Sequence, residues 1–587
     1  MADSISGNLI TRKYNNFRGV DYRDGEISLN RSPDALNLWK NYRNSNLLET
    51  RPDIELSEIY DNTIFGLFFY RVGNTEMKIV HCGTKLYKVV NGERTELYSG
   101  MNVRKSQSFV YNNIFYIKDG INYLSYDGET IGEVTGYIPT TSIGRSPKGG
   151  GTIYEDVNML SDYRKNEFNG DGESTEYHLD TQSIDSVLSV MVNDVLLGNE
   201  EYSVDLTRGI VIFANAPSKP LTDGRDNVVI TFKKAVAGYR ERINKCTLLT
   251  VFDNRVFFSG NQDYPNVLWH CSLNDPTYVS DLDYYNEGLD LAPIKSMVAG
   301  NNALWVFKEP SQANTTVFYH NPTIDSEYGK VYPSSHSSIA TGCIATGINF
   351  NDDICFFSDR GLEGISGDIT SEQVLAHRSS LIDSKLLAEA NYKDMILEEW
   401  KGYLLVCIDN KVYLADSRQM FTLNNNYEYE WFYWELPKNI TCTCVKDGIL
   451  YIGTEDGIYT LTNTTNDIES YWTTPLDNFK YGNYQKTTNK RGCIIEVEGE
   501  NISVSVKTNK DEMTLIKTFE DVSDYIVARI KRKKFKDIQI KIHSTRPVKL
   551  ESITLESFIG AYIKRWGGKV WQQQIIRLIM KTRDFNK

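Results

Sequence analysis

Histidine is scarce in this chain. There are seven copies in 587 residues, and His81, His178, His270, His320, His336, His377 and His543 stand far apart. No HExxH or His-x-His pair occurs, which removes the common zinc-hydrolase spacing. A GxSxG elbow and a phosphate-binding glycine loop with its lysine are missing too. Gly149-Gly150-Gly151 runs into Thr152-Ile153 and reads as a hinge. Long apolar runs are also missing. No stretch approaches the roughly 20 apolar residues that span a bilayer, and Met1 to Asn16 has no apolar signal core. Neither secretion nor membrane insertion is expected. Basic charge is in deficit, with a formal net charge of −13. That argues against a general nucleic-acid binder, which needs cations to displace counterions. It suits plain solubility, or a surface that DNA slides past.

Cysteine lacks pairing. The nine copies are an odd, scattered set. Cys82, Cys246, Cys271, Cys343, Cys355, Cys407 and Cys493 sit mostly in apolar strand-like runs, as buried thiols of a protein assembled in a reducing cytoplasm do. Cys442 and Cys444 share a strand face, but no second Cys or His pair completes a zinc site. The acidic loop Asn166 to Glu173 does not match an EF-hand frame and reads as an exposed loop. Acidic pairs such as Glu398-Glu399 and Asp352-Asp353 occur, and Asp352-Asp353, in a hairpin turn, is read as turn chemistry before catalysis. No catalytic residue, metal site or cofactor is expected, and the chain is read as not an enzyme.

Aromatic residues are abundant: 37 Tyr and 24 Phe, which favours strands. Asn, Asp and Gly punctuate the chain as turn residues do. One hairpin pattern recurs, an apolar strand entered through a polar turn. It occurs at Asn112-Asn113, Asp253-Asn254, Asn301-Asn302, Asp352-Asp353, Lys401-Gly402 and Asp447-Gly448, with a looser copy at Gly73-Asn74. These turn residues accept positive φ and close tight hairpins. From 254 to 448 the marks fall about every 50 residues, the period of a four-stranded propeller blade. A four-stranded sheet cannot bury both faces alone; packing sheets around an axis does so and leaves short edges. The expected fold is all-β, a β-propeller of about six or seven blades.

Two departures from the rhythm define further domains. The interval from 113 to 254 holds one blade plus an insertion of alternating strand-like runs, a small β-domain over 140–238. After Thr462 the rhythm stops; Asn463 to Ser470 reads as a linker, and five strand-like runs follow. The expected layout is an N-terminal segment and first blades over 1–139, the inserted domain, the remaining blades over 239–462, a sandwich-like β-domain over 471–565, and a basic amphipathic helix over 566–587. Short helices are expected near 33–42, where Ser32 caps and Pro33 starts a turn, and near 379–390. The aromatic run Tyr427, Tyr429, Trp431, Phe432, Tyr433 and Trp434 is read as core between blades before a sugar platform. The basic run Arg529 to Lys536 is read as a solvated turn before a phosphate or acidic-partner contact. Arg532 and Lys533 in that run, with Trp571 and Ile575 in the tail, are the candidate partner contacts.

Several segments resemble one family. Phe17-Arg18-Gly19-Val20-Asp21, Ser32-Pro33-Asp34-Ala35-Leu36-Asn37-Leu38-Trp39 and Glu49-Thr50-Arg51-Pro52 look like the start of phage tail stabilisation or nozzle proteins. Asn261 to Asn266, Ser272 to Tyr278, Phe356 to Leu362 and Tyr471 to Asp477 are similar to the same family. The resemblance implies a virion protein, made in the host cytoplasm and placed in the tail. It implies a homo-oligomeric ring, a hexamer, that narrows the channel through which double-stranded DNA passes without specific binding. It also implies help in retaining packaged DNA and contacts with other tail proteins (adaptor, fibres or tip). Two alternatives are a saccharide-binding or saccharide-cleaving propeller, marked by carboxylates and aromatics in an axial pocket, and a receptor-binding tail protein with the inserted domain as its tip.

Overall fold

The computed structural model describes residues 5–562 except 7–8, 43–46, 223, 314, 327–328, 367–373, 424–425, 464–466 and 532. The helix expected over 566–587, with Trp571 and Ile575, lies outside the described residues, as does Arg532. Among the described residues no helix is long and apolar enough to cross a membrane.

Seven four-stranded antiparallel sheets follow one another along the chain. Their first strands are Ile64–Val72, Gln107–Tyr111, Leu248–Phe252, Ile294–Gly300, Gly347–Phe350, Ile396–Trp400 and Cys442–Lys446. Neighbouring sheets touch mainly through these strands, and the seventh touches the first. Blades 5 and 6 meet instead through their outermost strands, Val374–His377 and Asn426–Glu435, and Phe350 on the first strand of blade 5 packs on Tyr429 with ring centroids 5.3 Å apart. The ring is a seven-bladed β-propeller. Each of the seven turn marks in the sequence closes the first hairpin of one blade. In blades 2 to 7 both turn residues adopt positive φ, from Asn112 and Asn113 through Asp447 and Gly448. That geometry twists with the flanking strands, which is why Asn, Asp and Gly recur there. Blade 5 turns on Asn351 and Asp352, one residue before the marked pair; Asp353 already lies in its second strand.

The seventh blade is completed out of order. Its outermost strand is Asp53–Ile59, which precedes blade 1 in the chain and pairs with Gly457–Thr462. The N-terminal and C-terminal parts of the propeller are thereby locked in one sheet, and no blade edge is left open at the chain's crossover.

Between blades 2 and 3 the chain forms the inserted domain. A six-stranded sheet, including Thr140–Arg145, Tyr163–Phe168, Ser186–Val192 and Val228–Lys233, accompanies a three-stranded one. They share a core of Phe168, Tyr177, Val190, Val211, Phe213, Ile230 and Phe232. The base of the insertion is tied to blade 3 by Asn158, whose Nδ2 donates to the carbonyls of Tyr137 and Thr277, both at 2.8 Å.

The sandwich-like C-terminal domain is organised by one 25-residue strand, Tyr484–Thr508. Its first half pairs with Val548–Tyr562 and Tyr525–Ala528, its second half with Thr514–Val522 and Ile538–Ser544. The change of partners falls at Gly499, φ 146°, where a Cβ would meet the carbonyl oxygen of Pro547 at 2.6 Å. Period-2 burial in Ile538–Ser544, with Ile538, Ile540 and Ile542 inside, shows one face on the core.

The N-terminal segment belongs to this domain as much as to the blades. Leu9–Tyr14 pairs with Val548–Tyr562, Ala35–Leu36 with Ser470–Thr473, and Leu48–Thr50 with Val548–Tyr562. The expected helix near 33–42 does not form; residues 31–32, 35–36 and 38–40 are short strands. The Ser32 hydroxyl does accept from the Asp34 amide at 3.2 Å, as a cap would, and it also bonds across the molecule. Its Oγ donates to the Thr473 carbonyl at 2.7 Å, and Asn37 turns the chain at φ 54°. Pairing across the molecule outweighed the local helix signal. The helix expected near 379–390 shrinks to Asp383–Leu386, with a 3-10 turn at Tyr392–Asp394.

Candidate functional site

The axis of the propeller is the first place to look for chemistry. Of its seven first strands, one carries acidic residues, Glu398 and Glu399 in Ile396–Trp400. Burial raises the pKa of Glu398. The ring of carboxylates and aromatics that would mark a saccharide-cleaving propeller does not form on these strands. Among the described residues no group of three or more His, Cys, Asp or Glu is placed to hold a metal ion. All nine cysteines are free, eight of them buried. The Asn166 to Glu173 loop satisfies its own carboxylate. Asp171 accepts from the amides of Glu173 and Ser174 and from the Ser174 hydroxyl at 2.6–2.9 Å, which lowers its pKa to about 2.

Histidine 377 has the most unusual setting. Its Nε2 lies 2.6 Å from Asp383 Oδ2 and its Nδ1 3.3 Å from Glu363 Oε1. Burial opposes the charged ring, yet hydrogen bonds to both carboxylates prevail and raise its pKa to about 10. Ser379 Oγ donates to Asp383 at 2.6 Å. The carboxylate therefore sits between hydroxyl and imidazole, so the ring cannot take the serine proton as a nucleophile's base must. The cluster is a structural clamp at the start of the short helix. Its pH signature follows from linkage. A raised folded pKa gives stability fully present below the unfolded value near 6.5 and lost as pH rises through about 10. Replacing His377 with Gln is expected to flatten the fall in urea midpoint between pH 7 and pH 10; an unchanged slope would show that the clamp does not couple to folding.

The densest set of functional-looking side chains lies where the N-terminal arm, residues 9–42, runs between blade 6 and the sandwich. Arg12 Nε and Tyr14 OH both donate to Asp477 Oδ2 at 2.8 Å, all three buried. Arg31 grips Glu430 on the outermost strand of blade 6 with two bonds, 2.8 and 2.7 Å. Arg18 adds a third at 3.3 Å. Asn37 is a three-way connector. Its amide donates to the Tyr433 carbonyl at 3.0 Å, its Nδ2 to Glu469 at 2.9 Å, and its Oδ1 accepts from Glu435 and Arg51. Trp39 stacks on Trp400 and meets Trp434 edge-on, each at 5.4 Å. Phe17 meets Trp472 edge-on at 4.9 Å. The arm is thus a staple, held on one side by blade 6 and on the other by the sandwich.

This explains the aromatic run of blade 6. Strand Asn426–Glu435 is buried on both faces because the arm covers the side that an outermost strand ordinarily exposes. Asp353 has a role the sequence does not show: it binds Arg378 at 2.8 Å and Tyr429 at 3.0 Å inside the core. Lys533 lies on the surface of the sandwich, 3.2 Å from Asp511. It does not meet the arm.

No family model and no curated protein matches the chain. Among solved structures it is similar to BamB from Moraxella catarrhalis, at 10% identity over 70% of this chain and 97% of that one, TM-score 0.33. It is similar to Kluyveromyces lactis Hsv2, at 8% identity over 64% and 100%, TM-score 0.26. It is also similar to AztD from Citrobacter koseri, at 10% identity over 82% and 99%, TM-score 0.27. The class is a seven-bladed β-propeller with an inserted β-domain and a sandwich-like C-terminal domain. It rests on the sheet order and closure above; likeness at these scores adds no argument about activity.

Proposed function

We propose that this chain is a structural protein of a phage tail, a subunit of a ring that narrows the DNA channel, helps retain packaged DNA and attaches distal tail parts. One observation supports the reading above others. The segments that resemble tail nozzle proteins include the interlock itself. Phe17, Gly19, Asp21, Ser32, Ala35, Asn37, Trp39, Thr50 and Arg51 all lie on the arm or its return, and Tyr471 to Asp477 is the sandwich strand and loop they engage. A motif made of interlock residues is one that specifies how domains are held together, as a load-carrying assembly protein requires. The inserted domain and the sandwich supply surfaces outside the propeller for the heterologous contacts that close a ring.

Particles assembled without this protein are expected to package DNA and then lose it. The labelled chain is expected in a ring below the portal and adaptor, seen by imaging of purified particles. Particles that keep their genomes and infect normally without it would refute the reading. A chain found at the tip of a fibre would favour receptor binding.

A further inference from the structure

The net charge of −13 hides a strong asymmetry. Residues 471–587 carry 23 Lys and Arg against 13 Asp and Glu, whereas residues 1–470 carry 41 against 64. Part of the excess is gathered at one place on the sandwich. Strand Tyr484–Thr508 pairs with Lys534–Phe535 at 486–487 and with Tyr525–Ala528 at 493–496. Between those pairings lie, along the sequence, residues 488–492 of the strand and 529–533 of the returning chain. The two segments are tied by Thr488, whose Oγ1 donates to the Lys531 carbonyl at 3.2 Å and accepts from the Lys533 amide at 3.2 Å. Ile530 and Phe535 are buried, at 2% and 1% exposure, and fix the facing of this edge. Lys490, Arg491, Arg529, Lys531, Lys534 and Lys536 are left exposed around them. Residues 488–492 and 529–536 contain no Asp or Glu. Lys533 is paired with Asp511, but none of the six others has an ion-pair partner among the described residues.

We infer that this edge of the sandwich is a binding surface for the phosphate backbone of duplex DNA. Six cations without an ion pair on one short edge, with Glu556 beside Asn489 as a neighbouring acid, raise the local potential and repel each other unless a polyanion meets them. The edge lacks the apolar or aromatic centre that a protein–protein interface uses, in which Lys is depleted. Phe535 faces inward, and the exposed rings nearby, Tyr484, Tyr525 and Phe558, stand on three different strands rather than in a row along which successive single-stranded bases stack. A duplex presents phosphates at regular short spacing and needs neither. The contact is sequence-independent in this reading, because the described residues of the edge are strand and turn and include no helix to lie in a major groove. The rest of the molecule is acidic and repels the same polymer, so the duplex is held at one edge and kept off the other faces. This inference uses charge and placement alone and does not depend on the tail reading.

The test is titration of the purified full-length chain into a short fluorescent duplex of mixed sequence, across salt concentrations. With roughly four to six phosphates engaged, the slope of log Kobs against log salt is expected near −4 to −5, a loss of about 10²- to 10³-fold between about 50 and 200 mM salt. Lys531→Glu with Lys534→Glu is expected to weaken binding at least about tenfold and to flatten the slope by about 2. Lys148→Glu with Lys219→Glu, on the inserted domain, is expected to change neither. The altered side chains are exposed, so coincident thermal unfolding verifies the fold; Arg529→Gln with Lys536→Gln is a milder second pair with the same expected direction. No binding at about 50 mM salt, or binding unchanged in both edge variants, overturns the inference. Equal affinity for polyglutamate at matched charge overturns it in favour of an acidic protein partner. Duplex binding by a chain absent from particles would sink the tail reading and leave this one standing.

Discussion

Alanine at position 19 is expected to destabilise the protein by about 3 kcal/mol more than alanine at position 25, and to free the arm from blade 6. Both glycines hold a left-handed backbone, φ 138° at Gly19 and 117° at Gly25. Both substitutions therefore pay the same kind of backbone strain. Their surroundings differ. A Cβ at Gly25 meets nothing within 4 Å, whereas at Gly19 it falls 2.0 Å from the carbonyl oxygen of Trp431 and 2.9 Å from its carbonyl carbon. Those are backbone atoms of a buried strand, and the Trp431 ring is itself pinned by its Nε1 donating to Arg378 at 3.2 Å. Neither side can yield, so the arm must lift. Lifting it exposes Trp39, Phe17 and the outer face of blade 6, which together contribute several kcal/mol of burial. Urea unfolding followed by tryptophan fluorescence measures the loss, and trypsin cleavage after Arg18 or Arg23 reports release of the arm. Equal midpoints for the two alanine variants, with the arm still protected, would show that the close approach carries no energy.

The propeller was legible because its signal is local. In blades 2 to 7 the first hairpin has two residues of positive φ, and Asn, Asp, Gly and once Lys401 stand at those turns; in blade 1 Gly73 alone takes it. Counting the turns counts the blades, including the loose copy at Gly73-Asn74, and an estimate of six or seven becomes seven. The insertion was legible for the same reason, as alternation interrupting a period. What the sequence did not show is non-local. Strand Asp53–Ile59 closes blade 7 across about 400 residues of chain, and no property of its seven residues names a partner. The segment after Ser32 has a sound helix-start signal, but pairing of Ala35–Leu36 with the distant strand Ser470–Thr473 and of Leu38–Lys40 with Leu48–Thr50 outweighs one turn of helix. Asp353 looked like turn chemistry because its neighbour Asp352 is turn chemistry; one position further it faces Arg378 in the core. The aromatic run of blade 6 read as core between blades, and half of it is; the other half is core under the arm. The partner contacts chosen from sequence separate in the same way. Lys533 lies beside a real concentration of charge, while the interlock at Arg31, Asn37 and Glu430 carried no compositional signal, since each of its members is a common surface residue until the fold brings them together.

Glu430 is where that interlock is most exposed to test. Its carboxylate is fully buried on the outermost strand of blade 6 and accepts from Arg31 twice and Arg18 once. The Arg31 guanidinium also lies 4.2 Å from the centroid of the Phe421 ring and 4.0 Å from Asp21, which Arg23 already engages at 2.8 Å. Asp21 alone therefore does not satisfy it. Changing Glu430 to Ala removes the acceptor and leaves a buried cation, an arrangement that costs about 3–5 kcal/mol. The pair itself is worth less than that figure, because both charges lost water on folding. Replacing them together, Arg31→Met with Glu430→Leu, is expected to recover most of the loss, to within about 1–2 kcal/mol of the parent. The double variant keeps the apolar volume under Phe421, so the arm stays seated and trypsin does not reach Arg23. Urea midpoints of the parent, the two single variants and the double variant complete a cycle that isolates the coupling. A Glu430→Ala loss below about 1 kcal/mol, the range of an exposed pair, would mean that the arm is held by its aromatic and backbone contacts and that the buried arginine fork contributes nothing to joining propeller and sandwich.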